Sequence, residues 1–210
     1  SIEMYETKVD ANGKFTAERE KVDSNSYHLY PDKTYDKDPT IRITTKNDQD
    51  QMFLYVKSSN QIRLAESGNN GGTELTMRQQ MHEYGWVEYV TSGDGVEIVW
   101  VYGTRNADGI IAPIPVDRTY QQKKDGANVG EKGTIRLCDN FTIHKDANVS
   151  LYGGAAVTFT AFAIQNSEVD NVHNGWTLIK DTYPYACGIA SPVNPYDSTA
   201  DPYAPVPVTP

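Results

Sequence analysis

Residues 155–165 place the strongest constraint on how this chain can fold. They read Ala-Ala-Val-Thr-Phe-Thr-Ala-Phe-Ala-Ile-Gln. One set of alternating positions is apolar throughout: Val157, Phe159, Ala161 and Ala163. The positions between them are occupied by Thr158, Thr160, Phe162 and Ile164. Successive side chains of a β-strand point to opposite faces, so this long alternating run predicts a strand.

Several other segments also predict strands. Residues 40–44 alternate isoleucine with polar side chains, and residues 52–57 are apolar on both faces, which indicates a central position in a sheet. Residues 86–90 and 96–102 flank a Ser-Gly-Asp-Gly sequence typical of a hairpin turn. The alternating runs predict a core that includes Val56, Ile98, Trp100, Phe159 and Ala161.

The composition supports a β protein. The chain has 17 Val and 13 Ile against 7 Leu, and branched side chains suit a pleated surface. Short strands separated by turn signals predict an all-β fold, more closely a jelly-roll-like antiparallel β-sandwich formed by residues 1–182. One or two short helices are expected, and the best candidate covers residues 73–83 with Thr73 as its cap.

Residues 183–210 differ in character from the rest of the chain. They contain most of the 11 prolines together with spaced tyrosine and aspartate residues. Because proline lacks an N–H and fixes its backbone angle, this segment cannot form a central strand or a helix. We expect an extended C-terminal arm.

The net charge argues against nucleic-acid binding, and the hydropathy pattern argues against a membrane span. The formal net charge is −9, whereas a non-specific nucleic-acid binder needs a basic face that displaces counterions. No apolar run approaches the roughly 20 residues that span a bilayer. We therefore expect neither nucleic-acid binding nor a membrane span.

The motifs of the common enzyme classes are missing. His82 and Glu83 begin a His-Glu-x-x-His pattern, but its second histidine is absent because Tyr84, Gly85 and Trp86 follow. No Gly-x-Ser-x-Gly elbow and no phosphate-binding loop occurs in the sequence. We expect no catalytic residues, no bound zinc and no cofactor.

Calcium remains open at the level of sequence. The carboxylates considered as ligands are Asp10, Asp36, Asp38, Asp48 and Asp50. None follows the spacing of a calcium loop with its trailing glutamate, and aspartates that hydrogen-bond their own backbone in turns are the alternative.

The cysteines also leave two interpretations. Cys138 and Cys187 lack the Cys-x-x-Cys spacing of a zinc site or a redox pair. They form either one disulfide, which secretion would favour, or two buried thiols.

Two segments carry a resemblance to a known family. Residues 23–41 read Asp-Ser-Asn-Ser-Tyr-His-Leu-Tyr-Pro-Asp-Lys-Thr-Tyr-Asp-Lys-Asp-Pro-Thr-Ile. This resembles the Tyr-x-Leu-x-Pro-Gly-x-x-Tyr-x-Lys-Asp-Pro-Thr-Val signature of the camelysin/TasA-like bacterial surface proteins, which the SipW-type signal peptidase processes. Residues 161–165, followed by Trp176, are similar to that family's closing strand and helix.

The resemblance covers residues 1–179 and implies a jelly-roll domain that Gram-positive bacteria secrete. Some family members assemble into extracellular biofilm fibres, in which an N-terminal strand completes the sheet of a neighbouring subunit. Members usually carry an aromatic segment before the equivalent of Ser1, the residue at which the printed sequence starts. The Pro/Tyr-rich arm extends beyond the usual end of the family.

We therefore expect a structural subunit of an extracellular filament or biofilm matrix, with another copy of the chain as its partner. The alternative is a cell-surface adhesion or carbohydrate-binding module, which would bind cell wall or glycans through exposed tyrosine and tryptophan rings. The terminal residues expected to carry subunit contacts are Ile2, Met4, Val9, Tyr183, Tyr185, Tyr196 and Tyr203. For the arm, a linker to the cell wall is the other interpretation.

Overall fold

The computed structural model describes residues 1–183, which are mostly β, with several antiparallel sheets and two α-helices. In chain order the strands are β1 (Ile2–Thr7), β2 (Lys21–Val22), β3 (Thr34–Asp36), β4 (Thr40–Ile43), β5 (Met52–Asn60), β6 (Trp86–Thr91), β7 (Glu97–Arg105), β8 (Ile111–Pro113), β9 (Lys123–Lys124), β10 (Ala127–Asn128), β11 (Thr134–Arg136), β12 (Asn140–Thr142) and β13 (Val157–Gln165). The α-helices are α1 (Met77–Glu83) and α2 (Val172–Thr182). Short 3-10 helices cover Arg63–Ala65, Ser67–Asn70, Val149–Tyr152 and Asn166–Glu168.

The largest sheet has the strand order β13-β5-β7-β6, and β8 pairs with the far end of β7. All of its pairings are antiparallel, with Ala161 opposite Val56 and Val56 opposite Trp100. Strand β5 therefore lies between two long strands, and both of its faces are covered by apolar clusters. Its predicted central position is confirmed.

A second sheet has the order β11-β4-β1-β2. Its Ile41 and Ile135 join Leu54, Val56 and Trp100 of the large sheet in one buried cluster. Shared burial of this kind is the main stabilising contribution in a domain of this size. Two smaller antiparallel pairs, β3 with β12 and β9 with β10, complete the strands.

The predicted core residues divide into two groups. Val56, Ile98 and Trp100 are buried, as predicted. Phe159 and Ala161 are only partly buried, although they pack against the same cluster. The difference arises because both belong to β13, which lies at the edge of the large sheet.

Helix α2 covers the opposite face of the large sheet. Trp176 and Ile179 pack against Tyr55 and Phe162, and the Tyr55 hydroxyl donates a hydrogen bond of 2.7 Å to the Val172 carbonyl. The close approach depends on a glycine in the middle of the helix. A Cβ atom at Gly175 would lie 2.3 Å from the Tyr55 hydroxyl oxygen.

We expect Gly175→Ala to destabilise the protein by about 1–3 kcal/mol, because the new methyl group overlaps Tyr55 in a packed interface. In an exposed helix the same substitution would stabilise by about 1 kcal/mol. Gly93→Ala is the control, since a Cβ there has no neighbour within 4 Å. Urea unfolding of both variants measures the difference, and a stabilised Gly175→Ala protein would contradict the packing argument.

The predicted start of helix α1 is wrong. The helix begins at Met77, and its cap is Thr76 rather than Thr73. The Thr76 hydroxyl accepts from the Gln79 N–H at 3.1 Å, and the Gln79 side chain accepts from the Thr76 N–H at 2.8 Å. This reciprocal capping box fixes the first turn. Neither α-helix of residues 1–183 is long and apolar enough to cross a membrane.

Candidate assembly site

Strand β13 has one edge without a backbone ladder, which we call its open edge; strand β1 of the second sheet lies beside this strand, with Cα atoms within 8 Å. Strand β13 pairs with β5 along all nine residues, but its other side has no backbone hydrogen-bond partner within the described residues 1–183. The strand contains no charged residue and no proline. Unpaired N–H and C=O groups on a long, uncharged strand are a template for pairing with another strand.

The opposite edge of the same sheet is protected. Strand β6 contains an irregularity in its register between Glu88 and Val90. The Glu88 carbonyl already accepts a hydrogen bond of 2.5 Å from the Arg105 guanidinium, and the Glu88 carboxylate pairs with Arg78. A bulge and edge charges are the usual means of preventing strand addition. The two edges of the sheet therefore differ in their capacity to accept a strand.

The predicted N-terminal assembly residues are engaged within their own chain. Strand β1 pairs with β4, with Ile2 opposite Ile43 and Met4 opposite Ile41. Ile2 and Met4 are partly buried against the main core, on which Phe159 and Ala161 of β13 also pack. Val9 follows the strand and forms a β-bridge with Phe15.

The Lys-Asp-Pro-Thr part of the sequence signature anchors this N-terminal strand. Lys37 forms a buried ion pair with Glu6, with 2.5 Å between Nζ and Oε1. The Asp38 carboxylate accepts two hydrogen bonds of 2.7 Å, one from the Thr7 N–H and one from the Thr7 hydroxyl. The Thr40 hydroxyl in turn donates to the Asp38 carbonyl at 2.7 Å. The signature thus holds the last residues of β1 in place.

The C-terminal assembly residues are described in part. Tyr183, which follows α2, is 53% exposed, and its ring centroid lies 5.9 Å from that of Phe162 on β13. The chain therefore leaves the described fold beside the strand with the open edge. Tyr185, Tyr196 and Tyr203 lie outside the described residues.

Of the two cysteines, only Cys138 is described. It is fully buried next to the Lys37 carbonyl, and burial raises the pKa of its thiol. Cys187 lies outside residues 1–183, so the predicted pairing stays a prediction.

The aspartates considered for calcium have separate partners. Asp10 accepts hydrogen bonds from the backbone of its own turn, and Asp36 accepts one from the Phe15 N–H. Asp48 pairs with Arg118. Among the described residues, no three His, Cys, Asp or Glu side chains are grouped to hold a metal ion.

The aromatic rings considered for glycan binding are mostly inaccessible. The three tryptophans, Trp86, Trp100 and Trp176, are all buried. Of the first tyrosine cluster, Tyr35 is buried and Tyr27 is partly buried, whereas Tyr30 is 53% exposed next to the His28 ring. A stacking surface on the described residues would depend mainly on Tyr30 and on Tyr183, which is equally exposed.

Glu66 is a buried carboxyl group that sequence reasoning missed. It is 1% exposed and accepts 2.8 Å hydrogen bonds from the Met77 N–H, at the start of α1, and from Asn60 Nδ2. Burial nevertheless raises the pKa of Glu66 to about 7. It borders a cavity of about 50 Å³ that Arg63 and Trp100 also line, with room for little more than water.

This carboxyl group predicts a pH-dependent stability. Because its pKa in the folded protein lies above its ordinary value of 4.5, the folded state binds more protons between about pH 4.5 and 7. The stability that protonated Glu66 contributes should be fully present below about pH 4.5 and be lost as the pH rises to about 7. The free energy of unfolding should fall by an amount on the order of 3 kcal/mol over this range. Urea unfolding across this range should show that the free energy of unfolding falls more steeply with pH for the wild-type protein than for Glu66→Gln. Equal dependence on pH in the two proteins would contradict the assignment.

No protein-family profile, curated protein or solved structure matches this chain.

Proposed function

We propose that this protein is a structural subunit of an extracellular bacterial filament or biofilm matrix. The sheets and helices described above are proposed to form a jelly-roll-like β-sandwich whose partner is another copy of the same chain. The role is one of assembly, with no reaction on an external substrate. The sequence signature of residues 23–41 supports the family background of this proposal.

The open edge of β13 is the observation that carries the proposal. Nine consecutive residues without charge or proline offer an acceptor for a donated strand, and main-chain hydrogen bonds would supply the affinity. The same sheet is protected at β6, so addition at β13 would be directional. Contacts that join different surfaces of successive copies generate an open filament when the rotation between copies does not close into a ring.

The two predicted donor segments differ in what donation requires. Strand β1 is already paired with β4 and anchored through Lys37 and Asp38, so donating it would require an exchange between subunits. The C-terminal arm begins at Tyr183, beside β13. These contacts favour the arm, residues 183–210, as the segment that reaches the neighbouring subunit.

Electron microscopy and sedimentation of the purified chain at increasing concentration test the proposal. We expect filaments whose mass grows with protein concentration, and we expect deletion of residues 184–210 to reduce their formation. Deletion of residues 1–9 is a poor test because it removes a strand of the second sheet. A chain that stays monomeric at every concentration and binds glycans would instead favour the adhesion module.

A further inference from the structure

A lysine, a carboxylate and a carboxamide meet beside the N-terminal strand. Glu6 joins the other two: its Oε1 accepts from the Lys37 amine at 2.5 Å, and its Oε2 accepts from Asn25 Nδ2 at 3.0 Å. Glu6 is 6% exposed and Lys37 is 4% exposed. One carboxylate thus bridges a nucleophilic nitrogen and an amide, with very little water around it.

The amide of Asn25 is held in a fixed orientation. Its Oδ1 accepts a hydrogen bond of 2.9 Å from the Val9 N–H, and its Nδ2 also donates to the Thr7 carbonyl at 2.9 Å. A backbone N–H aimed at an amide oxygen stabilises the negative charge that develops there when a nucleophile attacks the carbon.

Apolar rings border the lysine. The centroids of the Tyr27 and Phe159 rings lie 5.6 and 5.8 Å from Lys37 Nζ. Transfer of a proton from the lysine ammonium to the Glu6 carboxylate, across their 2.5 Å contact, would leave both groups neutral. The product of that transfer is a neutral amine, which is the nucleophilic form of lysine.

We propose that Lys37 and Asn25 form an intramolecular amide bond, with Glu6 as the proton-transfer group. A bond forms between Lys37 Nζ and Asn25 Cγ, and the bond between Cγ and Nδ2 breaks. Glu6 takes protons from the attacking nitrogen and returns them to the leaving one. The leaving nitrogen departs as ammonia with the extra proton of the lysine ammonium, so atoms and charge balance without an oxidant or a co-reactant.

Such a bond would act on the anchor of the N-terminal strand. Asn25 contacts the backbone of Thr7 and Val9, and Lys37 precedes Asp38, which also binds Thr7. Joining Asn25 to Lys37 would convert this non-covalent anchor into a closed loop that cannot open without breaking a covalent bond. The inference is independent of the proposed filament, because the reaction needs only one copy of the chain.

Tryptic peptide mapping of the full folded chain tests the proposal. Trypsin cleaves after Lys33 and therefore separates Asn25, in residues 22–33, from Lys37. We expect a branched peptide that joins residues 22–33 to residues 34–42, lighter than the sum of the two by one ammonia molecule, with cleavage after Lys37 blocked. Finding these segments only as linear peptides would overturn the proposal.

Variants identify the groups and exclude a side reaction. We expect Asn25→Ala and Glu6→Gln to give only linear peptides, and Lys8→Arg, which alters a surface ion pair with Glu20, to leave the branched peptide unchanged. Circular dichroism establishes that each variant is folded. Persistence of the branch in folded Asn25→Ala, or an ammonia loss confined to the Asn12-Gly13 sequence, would also overturn the assignment.

Discussion

Replacing Thr158 and Thr160 with lysine is expected to abolish filament formation. Both threonines are exposed residues of β13, and the strand carries no charge in the native sequence. When a neighbouring subunit donates its strand, the two new ammonium groups on β13 would lie against that strand and against the body of the neighbouring subunit. Lysine on edge strands is a common means by which soluble proteins prevent strand pairing. Electron microscopy and sedimentation should find monomers at concentrations where the wild-type chain assembles.

Thr104→Lys is the matched control for this experiment. Thr104 is also an exposed strand residue of the large sheet, but it lies on β7 opposite Ala112 of β8, away from the open edge. It should assemble as the wild-type chain does. The free energy of unfolding of both variants should lie within about 0.5 kcal/mol of the wild-type value, because substitutions at exposed sites seldom destabilise a protein by more. Normal filaments from the Thr158/Thr160 double variant would exclude β13 as the acceptor.

The interior of the large sheet could be predicted from local sequence. The apolar character of both faces of residues 52–57 identified β5 as a central strand, and the alternating run of residues 155–165 identified β13. Alternation reports which residues share a face, but it does not report what lies beside the strand. The position of β13 at an edge depends on pairing with a segment about 100 residues earlier, and no local pattern contains that information.

The anchor of β1 lay beyond sequence reasoning for the same reason. Glu6 and Lys37 are 31 residues apart, and charged residues next to strands are usually solvated, so neither stood out. The cap of α1 is different, because Thr76 and Gln79 have the spacing of a capping box. That spacing is a local signal, and it predicts Thr76 rather than Thr73 as the cap.

Asp38→Ala is expected to destabilise the protein by about 3–5 kcal/mol, because a buried carboxylate with two short hydrogen bonds is removed. Asp38 is 7% exposed, and both of its bonds go to Thr7, the last residue of β1. The Thr7 N–H would be left buried without an acceptor, which is costly. Urea unfolding measures the loss, and hydrogen exchange should find the amide protons of β1 less protected than those of β5.

Asp48→Ala provides the comparison for Asp38→Ala, because it removes the same side chain from a solvent-exposed ion pair with Arg118. An exposed pair of this kind contributes at most about 1 kcal/mol. If Asp38→Ala lowers the free energy of unfolding much more than Asp48→Ala, the Asp38 carboxylate stabilises the fold through its hydrogen bonds to Thr7 of β1 and not through charge alone. If both variants unfold alike, the signature residues do not hold the N-terminal strand, and β1 becomes as available for donation as the C-terminal arm.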